Sequence, residues 1–442
     1  MSRRVGFFGP RRPARARDAS WRRKRHRFYL GLLLVAIVLT PAIVWRLNLA
    51  AETDRMLTAL QAQGSPITLE ALNAERNTEE QGPTRAKVYL EAGAQSVSID
   101  KALLEVLPYR GNNRPVAGMP LSPEMRRATE ALVGANEGLL ATLHEASALP
   151  AGRFIEAYDL YSSIYDVAYL ETCDWLVTIL CCEAVLLDEQ GNDRGAMASM
   201  QAALALLQAM ESEALVPVVL SQWKLEARVA DALQRILTPG AASIEDLEAL
   251  RAQFDVSHRA ARWQRACDVE QCLFLSRLRT GRHHGLTRSL LLAAGLGDLN
   301  VGAYLSLMAA ARGGFGLSDE EQAPYRAQYN DVIRRLGRNS LLYGTVHASM
   351  PPAFFKHLRE RTDESLAVAA ALDVLIYDAE NGAWPESLGG ASGGADRLLT
   401  DGTALVFETV DGGFKLYSTS VEENRIDWWT CSSTVHAVEP TG

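Results

Sequence analysis

The sequence predicts a mainly α-helical protein: an N-terminal transmembrane helix, an irregular array of antiparallel helix pairs, and a small C-terminal helix-plus-β-hairpin cassette. Three observations carry that expectation. Residues 28–45, "FYLGLLLVAIVLTPAIVW", hold no charge and are bounded by Arg27 and Arg46. Between Thr68 and Tyr377, apolar residues recur at helical spacing between capping signals. At 402–420 the period switches to two around Asp411-Gly412. The 442 residues, 48% hydrophobic and 22% charged, suffice for one large core or two smaller ones.

The charge is uneven. Residues 1–27 carry eleven Arg and Lys against Asp18 alone, a net +10, which leaves −18 for the rest of a chain whose total is −8. Such a tail attracts nucleic acid or anionic lipid electrostatically. No aromatic-interleaved patch accompanies it, so it reads as a cytoplasmic sorting segment and no nucleic-acid partner is expected. The uncharged run that follows spans about 27 Å at ~1.5 Å per residue, near one hydrocarbon thickness. Tyr29 and Trp45 stand where interfacial aromatics belong, and Pro41 is tolerated in membrane helices. A secretory signal cleaved near "LNLAAE" (47–52) is the rival reading. Its apolar region would be shorter, ~7–15 residues, so an uncleaved anchor over 28–45 is expected. The positive-inside rule then puts residues from about 50 onward outside the cytoplasm.

The body, 50–360, is read as extracytoplasmic and helical. Thr68 caps "LEALNAE", and 84–96 form another helix. Pro108, Gly111, Pro115, Gly118 and Pro120 make 107–121 a long surface connection. Ser122 caps a helix with Pro123 in its first turn. Residues 163–188 are apolar on nearly every face, which marks a central helix. Asp166, Glu171, Asp174, Glu183 and Asp188 argue against a second membrane span, because each carboxylate in lipid costs about 2.5–3.5 kcal/mol. Gly191 ends that helix and Asn192 or Asp193 caps the next. The pair resembles half of a tetratricopeptide-like unit, but no ~34-residue repeat recurs. Gly240 and Ser243 mark another stop and start, and Ser318 with Glu321 reads as a capping box. Helices are expected over 256–280, 285–312 and 362–380.

Residues 361–442 form the C-terminal subdomain. Asp411-Gly412-Gly413 joins two alternating strands, with Phe414 and Leu416 on one face and Lys415 and Tyr417 on the other. The hairpin should pack on the last long helix.

Candidate chemistry is sparse. The adjacent pair His283-His284 cannot share one ion on a helix and reads as loop histidines. His144-Glu145, His258, His347 and His357 are scattered singly. The glycine-rich "ARGGFG" (311–316) follows a helix, so it does not cradle phosphate. Glu422, Glu423, Asn424 and Asp427 offer oxygens for calcium, but a solvated acidic loop is the plainer reading. Trp428-Trp429 reads as a packing anchor. Cys173, Cys181, Cys182, Cys267, Cys272 and Cys431 match no zinc spacing. They read as small buried hydrophobes, with one or two disulfides allowed outside the cytoplasm. The expectation is therefore of no catalytic, cofactor-binding or metal residue, no cofactor, and no enzyme.

The stretch Asn381-Gly382, Trp384-Pro385-Glu386-Ser387-Leu388, followed by "DGGFKLYSTS", resembles the C-terminal pattern of type II secretion pseudopilin globular domains. It is more similar to uncharacterised membrane-anchored helical proteins of planctomycete and verrucomicrobial type, which also open a helix with a "PLSPEM"-like start, here Pro120 to Met125. The anchor lacks the glycine and glutamate of a pseudopilin N-terminus. "GGASGGADRLL" and "VEENRIDWW" replace the proline segment and the calcium loop of that pattern. The resemblance implies a bacterial inner-membrane protein with a cytoplasmic N-terminus and a periplasmic domain. The expected function is an anchored interaction or scaffold module that takes a protein partner through its helical domain. An accessory of a secretion or pseudopilus system and an extracytoplasmic hydrolase are the alternatives.

Overall fold

The computed structural model describes residues 14–76, 83–111, 113–115, 119–160, 162, 167–240, 242–280, 296–314, 319–336, 353–391, 398–400, 402–419 and 425–432. The chain divides into two compact units, residues 1–59 with 283–302, and residues 60–282 with 303–442.

The first unit is dominated by α1 (Ala14–Ala62), an unbroken helix of 49 residues. At ~1.5 Å per residue it is about 74 Å long, more than twice a hydrocarbon core of ~30 Å. Pro41 lies inside it and cannot donate to the Ile37 carbonyl. The sequence marks the apolar run but not the helical turns that continue past Arg46. Those turns follow because residues 46–62 hold no second proline and no glycine. The helix stops where Gly64 takes φ +79° and Ser65 N–H returns to the Leu60 carbonyl at 3.0 Å.

The second unit begins with α2 (Leu69–Ala74), α3 (Arg85–Ala94), α4 (Lys101–Glu105), α5 (Pro123–Ala135) and α6 (Glu137–Ala146). Thr68 and Ser122 cap α2 and α5 by accepting from Ala71 N–H and Met125 N–H, each at 3.2 Å. The connection before α5 runs over the surface but is pinned, since Leu107, Tyr109 and Leu121 are buried. Tyr109 holds φ +61°, the single positive φ at a non-glycine among the described residues.

The centre is α7 (Tyr169–Glu189), followed by α8 (Asp193–Met210) and α9 (Val216–Ile236). The helix expected from residue 163 starts at Tyr169. Residues 161 and 163–166 lie outside the described residues; Ser162 Oγ accepts from Asp159 N–H at 2.7 Å, and 167–168 form a turn before the helix. Gly191 at φ +71° and Asn192, which accepts from Gly195 N–H at 3.1 Å, fold α8 back on α7. Leu176, Ile179, Leu180 and Val185 face neighbours on all sides and are fully buried.

Next come α10 (Ile244–Gln253), α11 (Arg259–Thr280), α12 (Leu296–Gly313), α13 (Asp319–Leu336), α14 (Ala353–Asn381) and α15 (Leu388–Ala391). The main core joins α7 and α9 to Ala367–Leu375 of α14 and to Phe414 and Leu416. A second apolar cluster lies among α9, α11, α12 and α13, with Trp223, Trp263, Phe274, Tyr304 and Tyr329. Trp263 resolves its indole N–H on the Ala311 carbonyl at 2.9 Å.

The C-terminal sheet has three antiparallel strands, β1 (Val406–Val410), β2 (Gly413–Thr419) and β3 (Arg425–Ser432), in that order. The expected hairpin is present, with Val410 opposite Gly413 and Gly412 at φ +70°. The third strand was not expected. "RIDWWTCS" reads as an acidic loop and an aromatic anchor, yet it pairs with β2 across a bulge at Leu416/Tyr417. β3 lies against α9 and α14, so the sheet docks on the last long helix through it. Gly382 ends α14 at φ +66°, and the Trp384 ring sits 5.4 Å from that of Phe414.

Close approach of α3 and α7 depends on Gly93, where an added Cβ would meet Thr172 Cγ2 at 2.0 Å. Gly93→Ala gains ~1 kcal/mol of helix propensity but incurs ~1–3 kcal/mol of overpacking. The expected result is a lowered urea midpoint, recovered when Thr172→Ser is added.

Candidate functional site

A few charged groups of the helical body are buried in clusters, where chemistry would first be sought. The deepest surrounds Glu213, fully buried in the turn between α8 and α9. Its Oε1 accepts the backbone N–H groups of Phe154 and Ile155, each at 3.0 Å. Arg76 Nη2 lies 2.9 Å from Oε2 and 3.1 Å from Oε1. Tyr158 donates its hydroxyl to Oε2 at 3.2 Å and accepts from Arg76 Nη1 at 2.8 Å and Ala214 N–H at 3.2 Å. The Arg76 guanidinium also covers the Tyr158 ring at 4.2 Å. Burial, and then the neighbouring carboxylate, raise the Tyr158 hydroxyl well above its usual range. Both carboxylate oxygens are engaged, so the cluster fastens the α8–α9 turn to α2 and to the connection before α7.

A second cluster joins α9, α11 and α14. Arg259 pairs with Glu226, donates to Ser365 Oγ at 2.7 Å and to the Arg361 carbonyl at 3.1 Å, and lies 5.6 Å from the Trp223 ring. Burial lifts the Glu226 carboxyl above its ordinary value, with Arg259 opposing. Burial lowers the neighbouring Arg262, whose Nη2 donates to the Met210 carbonyl at 3.2 Å. His258 stands at the rim, 3.6 Å from Glu211.

His144 finds its partner in Glu183, at 2.8 Å, and not in the adjacent Glu145. Ser199 Oγ donates to the same Glu183 oxygen at 2.8 Å. Serine, histidine and carboxylate are thus together, but the carboxylate stands in the middle. A hydrolytic triad needs the histidine there, between nucleophile and acid. This arrangement clamps α6, α7 and α8. The Glu183 hydrogen bond raises His144, with burial opposing.

A fourth cluster holds the C-terminal end of α7. Glu189 accepts from Leu121 N–H and pairs with Arg126, and with Arg235 at 2.9 Å. Beside it, burial lifts the half-buried Asp188 carboxyl to about 6, against the pull of Arg235.

Cys173, Cys181, Cys182, Cys267 and Cys272 are buried and in no disulfide among the described residues. Burial pushes Cys181 and Cys267 up to about 12, and Cys173 and Cys182 higher. They are packing residues with scarcely any thiolate at neutral pH. No group of three His, Cys, Asp or Glu side chains among the described residues could hold a metal. His283, His284, His347, Ser318, Glu422, Glu423 and Asn424 lie outside the described residues. Asp427, Trp428, Trp429 and Cys431 are placed on β3 by their backbone. In the glycine-rich stretch, an added Cβ on Gly313 would meet the Tyr325 ring at 2.6 Å, so that glycine serves packing.

What the body's clusters lack in openness, α1 supplies as surface. Among the described residues one helix is long and apolar enough to cross a membrane. Its large side chains stand exposed, from Phe28 at 66% to Trp45 at 47%. An apolar surface continuous around a helix marks a site for lipid or protein. Set against family models, curated proteins and solved structures, the chain matches none.

Asp188 gives a pH test. Its folded value is raised from 3.8 to about 6. Its contribution to stability is therefore full below about pH 4 and is lost as pH rises through about 6. Asp188→Asn should be the more stable protein at pH 7, by about 1 kcal/mol after allowing for solvent screening. The difference should vanish near pH 3.5 in paired denaturant titrations.

Proposed function

We propose that this chain is a single-pass membrane protein whose basic N-terminal segment stays in the cytoplasm. Its helical body lies on the other side and works as an interaction or scaffold module. The observation that carries the reading is the exposed apolar run of α1. Water-facing leucines and isoleucines on every side of a helix are stable only when lipid or another apolar surface covers them. The charge flanking the run supports the orientation. Arg22, Arg23, Lys24, Arg25 and Arg27 precede it, while Arg46 and Arg55 after it are balanced by Glu52 and Asp54. The ion clusters of the body support a scaffold role, because each one ties two or more helices together. The resemblance of 381–388 and 413–418 to pseudopilin globular domains favours one specific form of that role, an accessory of a secretion assembly.

Two fusions in a bacterial host test the arrangement. Alkaline phosphatase attached after the last residue should be active, and attached after residue 20 inactive. The untagged chain should stay with membranes through alkaline carbonate. Release by carbonate, or the reverse pattern of phosphatase activity, contradicts the proposal. In the same membranes, crosslinking to secretion components separates the accessory role from a general scaffold.

A further inference from the structure

We propose that the Arg22–Arg27 segment of α1 is a docking surface for acidic phospholipid headgroups. The inference rests on the membrane-spanning reading of α1 and adds a named lipid class to it.

Three observations point there. First, the basic segment and the apolar run belong to one unbroken helix. The charges are therefore carried at a fixed height above Phe28 and do not sit on a tether. At ~1.5 Å per residue, Arg27 lies about 2 Å and Arg22 about 9 Å beyond it. A headgroup layer is roughly 5–8 Å deep, half the difference between the whole bilayer and its hydrocarbon core. By the height of their backbone on α1, Arg23, Lys24, Arg25 and Arg27 thus fall at headgroup depth, with Arg22 just beyond its outer edge.

Second, successive residues on a helix turn by about 100°. Five basic positions out of six are therefore spread around the axis of α1 and not confined to one stripe. A ring of positive charge suits an annulus of lipids around a single helix. A nucleic-acid backbone would use one side of it. Arg15 and Arg17 lie about 17–20 Å out, more than a Debye length of ~8 Å beyond the headgroup layer, where screening removes most of their pull.

Third, Arg25 reaches toward the bilayer side. Its Nε donates to Tyr29 Oη at 3.2 Å, and its guanidinium carbon lies 5.5 Å from the Tyr29 ring centre. That grip holds the charge about one turn nearer the apolar run than its own Cα. Arg25 and Tyr29 are both exposed along the helix, as a pair working at a lipid boundary must be. At the opposite end Arg46 stands alone until Glu52, so the preference is confined to one leaflet.

The test uses the full chain reconstituted in vesicles of phosphatidylcholine with one-fifth phosphatidylglycerol. Spin-labelled phosphatidylglycerol and spin-labelled phosphatidylcholine report which lipid the protein restrains. Wild type should prefer the acidic label about threefold at low salt, falling toward unity as salt rises. A variant with Arg22→Gln, Arg23→Gln, Lys24→Gln, Arg25→Gln and Arg27→Gln should show no preference. Arg15→Gln with Arg17→Gln should keep most of it. Equal restraint of both lipids by wild type, or selectivity retained by the five-fold variant, overturns the proposal. So does salt-sensitive binding of a DNA duplex by wild type in pure phosphatidylcholine vesicles, lost in the five-fold variant and without lipid selectivity, which would assign the segment to nucleic acid. Flotation after carbonate treatment keeps the two ideas apart. Failure to float sinks the membrane-spanning reading, whereas flotation without selectivity sinks the headgroup site alone.

Discussion

One buried carboxylate holds the irregular part of the body to its helices. Glu213 sits at the α8–α9 turn, Arg76 just past α2, and Phe154, Ile155 and Tyr158 in the connection between α6 and α7. Helix packing alone does not position that connection, because it has no periodic apolar face. The carboxylate does so by accepting two of its backbone N–H groups, while Arg76 neutralises the charge and takes the Ile155 carbonyl at 2.5 Å. Asn73 adds a reciprocal pair with the Tyr158 backbone, at 2.8 and 2.9 Å. Removing two charges from water costs several kcal/mol per ion, and only a saturated set of partners offsets it. The positioned connection then acts on α3. The Pro150 and Ala151 carbonyls take the first-turn N–H groups of Arg85 and Ala86 at 2.8 and 3.0 Å. Gly152, at φ +67°, leaves room for Thr84, which an added Cβ would meet at 2.2 Å.

The same device recurs at each major helix contact. Glu183 joins α6, α7 and α8. Glu189 joins α7, α9 and the entry to α5. Glu226 joins α9, α11 and α14, and Arg251 pairs with Asp373 between α10 and α14 at 2.7 Å. The apolar surfaces between these helices are rich in alanine, cysteine and leucine, which pack well in several registers. Each ion pair adds a directional contact that only one register satisfies. The clusters that look at first like chemistry are the elements that select this arrangement of helices.

Local features were legible in the sequence, and long-range ones were not. Thr68, Ser122, Asn192 and Ser243 cap because a short polar side chain reaches an N–H three residues on. Gly191, Gly382 and Gly412 take positive φ because they lack a Cβ. Both rules act within four residues. Glu213 and Arg76 are 137 residues apart, and no pattern in one stretch predicts the other. β3 was missed because "RIDWWTCS" follows acidic residues and lacks strict alternation, and its strand character comes from pairing with β2. The helical spacing of apolar residues runs back to residue 163, whereas α7 begins at Tyr169, directly after a turn at 167–168. His144 and His258 read as isolated in the sequence because their partners Glu183 and Glu211 lie 39 residues after and 47 residues before them.

The two units make different demands on their surroundings. α1 exposes apolar surface that requires a cover. The body buries a small set of charged groups, Glu213, Arg235 and Arg259 among them, between its helices. The body's organisation therefore stands or falls with the Glu213 cluster, and native-state hydrogen exchange of the full chain tests it most directly. The amides of Phe154, Ile155 and Tyr158 should exchange as slowly as those in the middle of α7, because their acceptors, the Glu213 carboxylate and Asn73, are released only when the core opens. Exchange of those three amides at the rate of an exposed connection, while α7 and α8 stay protected, would contradict the account.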